Sequence, residues 1–208
     1  EGKSKLMNAI IECLETPNTE DAENALVDQH HAMSTCVIDA MVVVQSINMK
    51  GRIIKTCKDF AKEFVQRCRI LATGSHAVRL VFDTYRDKSL KESTRNLRRG
   101  EAVPLKYRIE DSTKIKGTLK QFLAHNQIKC DFVTYLAEEA KRTFKEVSST
   151  APFQYLVSSD GKTQGNIESH TLNNHEEADT LMVLHAIEAT RIQSGNHRII
   201  IFAYVTNI

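Results

Sequence analysis

The chain has 208 residues, 41% of them hydrophobic and 26% charged, with a formal net charge of +2. Eight Gly and three Pro argue against a disordered or fibrous chain, and apolar runs such as residues 40–44 and 199–204 fall far short of the roughly 20 residues a membrane helix needs. Five Cys with no CxxC pair exclude a disulfide scaffold and a structural zinc site, and point to reduced thiols in an intracellular compartment, nuclear or cytoplasmic.

The small net charge hides a division. Residues 1–33 carry two basic and seven acidic side chains, a net of −5. Residues 50–99 carry fourteen basic and five acidic ones, a net of +9. Such asymmetry suits either a polyanion-facing surface or a pair of solvated helices.

In chain order, residues 3–31 read as two short helices broken at Thr16-Pro17-Asn18, forming a lead-in over 1–33. A domain over 34–208 then opens with TCVID, a β-branched apolar run ending in Asp39. Its continuation AMVVVQSI fits a strand or a helix equally, because periodicity does not separate the two in short apolar runs. Residues 56–71 predict a helix with Phe60, Phe64, Val65, Cys68 and Leu71 on one stripe and Gly74 as its stop. A buried strand over 77–82 again ends in an acid, Asp83. The stretch 84–100 is polar and basic. Helices are expected over 114–126, 129–146 and 176–193, a short strand over 154–158 before a turn at Ser159-Asp160-Gly161, and a last strand over 198–204. The run ends at Ile208 without a polar cap, which reads as a piece of a longer protein, cut near the end of its last strand.

Near-continuous apolar strands alternating with helices imply an α/β fold: a mostly parallel central sheet covered by helices on both faces, preceded by the short helical segment. The functional crevice of such a sheet lies at the carboxyl ends of its strands, where Asp39 and Asp83 stand. Glu176, Glu177 and Asp179 open the helix before the last strand. Converging carboxylates suit a hard divalent cation, Mg²⁺ or Mn²⁺, and paired ions can activate water against a phosphodiester. Each acid also has a structural reading. Asp39 and Asp83 could cap the following helices, Asn174-x-x-Glu177 has capping-box spacing, and Glu176 and Asp179 suit a helix N-terminus.

Taken in order, VIDAM, VFDTYRDKSLKESTRNLRR, NHEEADT and a final strand resemble the PIN-domain and flap-endonuclease-like nuclease superfamily. More narrowly they resemble uncharacterised, mobile-element-like animal proteins with V-D-G-M, D-x-Y-x-x-x-S-L-K and H-E-E-A-D-T motifs. The resemblance covers about residues 34–208. It implies a PIN-like fold and a metal-dependent nuclease acting on DNA or RNA. It further implies that Asp39, Asp83, Glu177 and Asp179 are catalytic metal-site carboxylates, with Glu176 beside them. Lys88, Lys91, Arg95, Arg98 and Arg99 would then face nucleic-acid phosphates, a task that suits the planar guanidinium fork and the lysine point charge.

One departure stands out. Where the superfamily has D-x-D after the last strand, this chain has Val205-Thr206-Asn207, so both carboxylates are missing. The expectation is an impaired site with at most weak, Mn²⁺-favouring activity. The alternatives are a non-catalytic nucleic-acid-binding domain and a protein-interaction module built on the acidic N-terminal segment. His175-Glu176-Glu177 is no zinc-protease helix, since HExxH would need His where Asp179 stands. His30, His31 and His185 read as surface and core histidines, and Cys36 as packing.

Overall fold

A computed structural model describes residues 33–49, 54–84, 108–124, 126–169, 178–192 and 197–203. Strand β1 (Met33–Asp39) runs directly into helix α1 (Ala40–Ser46), so the ambiguous AMVVVQSI segment is helical. Asp39 decides that outcome. Its Oδ1 accepts hydrogen bonds from the Met41 and Val42 amides at 2.7 and 3.2 Å, so a helix starts where an apolar strand could have continued.

Helix α2 (Cys57–Leu71) follows, capped by Thr56 in a reciprocal pair with Asp59. Its buried stripe is Cys57, Phe60, Ala61, Phe64, Val65 and Cys68, recurring every three to four residues. Strand β2 (Ala77–Val81) is buried throughout, and the ladder continues one residue further as the Phe82 amide donates to the Ser158 carbonyl.

The helix expected over 114–126 is largely absent. Only a single turn, α3 (Leu119–Phe122), forms there, behind a Thr118–Gln121 capping box. Upstream the backbone is committed elsewhere. Thr113 and Asp111 carbonyls accept from the Cys57 and Lys58 amides, and the Ile115 amide donates to the Lys55 carbonyl. The first two bonds satisfy amides at the start of α2 that have no partner within the helix, and Ile109 and Ile115 are buried in the same region. Helix α4 (Asn126–Thr150) is longer than expected, and buries Phe132, Val133, Leu136, Ala137, Ala140 and Phe144.

Strands β3 (Gln154–Ser159) and β4 (Lys162–Gly165) form a hairpin. Both turn residues take positive φ, Asp160 at 48° and Gly161 at 69°, the geometry that matches the natural twist of paired strands. Gly165 admits no side chain, since a Cβ there would lie 2.0 Å from the Tyr155 carbonyl oxygen. Helix α5 (Ala178–Ile192) and strand β5 (His197–Phe202) complete the described chain.

The five strands form one sheet in the order β4-β3-β2-β1-β5. β3, β2, β1 and β5 run parallel, while β4 pairs antiparallel with β3 at the edge, so the sheet is mixed. Sheet residues alternate between two apolar clusters. Cys36, Ile38, Val78, Leu80 and Val157 join α1, α2 and α4 in the larger cluster. Val37 and Val81 meet Ala178, Leu181, Met182 and Ala186 of α5 in the smaller. No described helix is long and apolar enough to cross a membrane.

Candidate functional site

The order of the strands locates the crevice. From β1 the chain builds outward through β2 to β3, then returns to add β5 on the other side of β1. The sheet therefore reverses its winding at β1, and ligands of open α/β sheets bind beyond the carboxyl ends of the strands at such a reversal. Asp39 is the last residue of β1. Asp83 lies two residues beyond β2, the parallel neighbour of β1.

Both acids are engaged by backbone amides. Asp39 caps α1 through Oδ1, and both of its hydrogen bonds among the described residues fall on that one oxygen. Asp83 Oδ1 accepts from the Ala178 amide at 3.0 Å, which ties the start of α5 to the end of β2 across 95 residues of sequence. Asp179, the next residue, is in the first turn of α5. Burial pushes the Asp39 carboxyl above the usual carboxylate range, partly offset by the two amides, and the nearby charges of Asp83 and Asp179 raise it further. The three aspartates thus share one electrostatic neighbourhood. The Thr84 hydroxyl, buried beside Asp83, has no hydrogen-bond partner among the described residues.

Among the described residues no three His, Cys, Asp or Glu side chains form a group able to hold a metal ion. Glu176, Glu177, Lys88, Lys91, Arg95, Arg98, Arg99, Val205 and Asn207 lie outside the described residues, as does the 1–32 part of the helical lead-in. Cys36 is a buried packing residue, with burial pushing its thiol up to about 12, and His185 is a core histidine with no exposed surface.

One constellation is missed by sequence reasoning. Arg79 lies in the middle of β2, 2% exposed, with its side chain toward α5. Its Nη1 donates to Glu188 Oε2 and to His185 Nδ1, the latter at 3.3 Å. His185 Nε2 lies 2.8 Å from Ser158 Oγ, which lies 3.1 Å from Thr163 Oγ1. Ser169 Oγ adds a second donor to Glu188, at 2.7 Å. A charge inside the apolar run AVRLVFD was the available signal, because a buried guanidinium requires a partner.

No protein-family profile, curated protein or solved structure matches the chain. The resemblance to the nuclease superfamily therefore rests on the motifs in their order.

Proposed function

We propose that this is a PIN-like, nuclease-type domain that acts on nucleic-acid phosphodiesters with impaired catalysis, its sheet covered by helices on both faces. The observation that carries this reading is the position of Asp39. It ends the strand at which the sheet reverses its winding, and the charges of Asp83 and Asp179 act on it. The buried Thr84 hydroxyl, next to Asp83 in sequence, has no hydrogen-bond partner among the described residues and adds a polar atom there. Asp39, Asp83 and Asp179, with Glu176 and Glu177, would hold Mg²⁺ or Mn²⁺, whose chemistry is to activate water and stabilise a leaving oxygen. Lys88, Lys91, Arg95, Arg98 and Arg99 would contact phosphates.

A second reading has its own observation. Asp39 and Asp83 both serve as acceptors for helix-starting amides, and the described carboxylates form no cation-holding group. Both facts favour a domain that binds nucleic acid without cutting it. A protein-interaction module built on the acidic N-terminal segment has no described residue in its support.

The test compares the protein with a Val205→Asp/Asn207→Asp variant on single-stranded and flapped DNA and on RNA in Mn²⁺. The nuclease reading expects affinity that falls linearly in log K with log salt for both proteins. It also expects slow cleavage that rises in the variant and disappears with Asp39→Asn. Salt-dependent binding with no cleavage by either protein selects the binding domain. Absence of salt-dependent binding removes both readings.

A further inference from the structure

The face of the sheet under α5 combines apolar contacts with a chain of polar groups. Its geometry fixes the proton positions. A guanidinium only donates, so His185 Nδ1 must accept from Arg79, and the neutral ring carries its proton on Nε2. Nε2–H then donates to Ser158 Oγ, and the Ser158 hydroxyl donates to Thr163 Oγ1. Ser158 and Thr163 are register partners across β3 and β4, so the chain runs from β2 through α5 to the edge hairpin. A second proton on His185 would remove the acceptor Arg79 uses and set two cations side by side.

We propose that the Arg79–His185–Ser158 chain is an acid-released latch holding α5 on the sheet. Among the described residues, the charged and titratable groups around the ring are few. Arg79 faces it from β2, and Glu188 lies on its own helix with Oε2 3.9 Å from Nδ1. β3 and β4 contribute only the hydroxyls of Ser158 and Thr163, and the segment after β4 contributes Ser169, bonded to Glu188. On β5, His197 feels the Arg79 charge and hydrogen-bonds Thr35 of β1. Glu188 is the sole carboxylate in this set and already pairs with Arg79.

Burial first, and Arg79 second, push the His185 ring down from 6.5 to about 4, while Glu188 acts the other way. The sign follows from linkage. The closed form binds fewer protons than an opened form in which the ring meets water, so closure weakens as pH falls through the interval from 6.5 to 4 and levels off below it. Release would free α5 at its acidic start as well, loosening the Ala178 amide from Asp83 and Asp179 from its neighbours. The latch is independent of what that crevice binds.

Hydrogen-exchange protection factors for α5 and α2, measured on the whole chain between pH 6.5 and 4, test this directly. Protection in α5 should fall roughly 100-fold more than in α2 over that interval. His185→Gln should abolish the difference, because a Gln side chain can accept from Arg79 and donate to Ser158 but does not titrate. His197→Gln should leave it unchanged. Equal losses in both helices, or a difference that survives His185→Gln or vanishes with His197→Gln, overturns the latch. Should His185→Gln fail to fold, ring ¹⁵N shifts of the unmodified protein decide. An Nε2–H tautomer titrating well below 6 supports the latch, and an Nδ1–H tautomer or a midpoint near 6.5 overturns it.

Discussion

The two apolar clusters that the sheet joins are held together by different means. Under α2 and α4 the contacts are apolar and aromatic. Phe60 meets Phe132 edge-on at 5.2 Å between ring centroids, Phe122 meets Phe132 at 5.4 Å, and Phe144 packs on Tyr155 at 6.0 Å. Under α5 a smaller apolar cluster sits beside Arg79, His185, Ser158 and Glu188. Hydrophobic contact is non-directional and tolerates small shifts, whereas a buried guanidinium accepts few geometries. The first side buries the larger apolar cluster; the second fixes where α5, and with it Asp179, comes to rest.

Breaking the apolar side should have the largest effect. Phe60→Ala removes a fully buried ring with aromatic neighbours and should cost about 3–5 kcal/mol by urea unfolding. The polar side should respond less in energy and more in specificity. Glu188→Gln keeps the shape but removes the charge that Arg79 meets, at about 1.5–3 kcal/mol, with amide shifts concentrated in α5 and β2. Effects spread evenly over α2 and α4 would contradict the division. The smallest of the three is Thr56→Ala, which removes the cap of α2 and should cost about 1 kcal/mol without altering the α5 amides.

The aspartates show how far local reading goes. The sequence left Asp39 two readings, helix cap and crevice acid; the fold shows the cap and places it at the strand where the winding reverses. The stripe on α2 was legible because amphipathic spacing survives folding. The 114–126 helix was misread because the backbone there pairs with residues near the start of α2, some 55 residues away in sequence, and no local pattern records that. Strand β4 was missed for a similar reason. KTQG has no apolar alternation and becomes a strand only because the turn at Asp160-Gly161 folds it back onto β3.

By itself the sequence determined the alternation of buried strands with helices, the stripe of α2, the strand-end positions of Asp39 and Asp83, and the division of charge along the chain. These follow from local periodicity and composition, which depend only on neighbours in sequence. Tertiary structure alone decided the strand order, the reversal at β1, and the meeting of Arg79 with His185 and Glu188 across more than 100 residues. The physical reason is that long-range partners are chosen when the chain closes on itself. A buried charge announces that it needs a partner, but only the packing of α5 on β2 says which one.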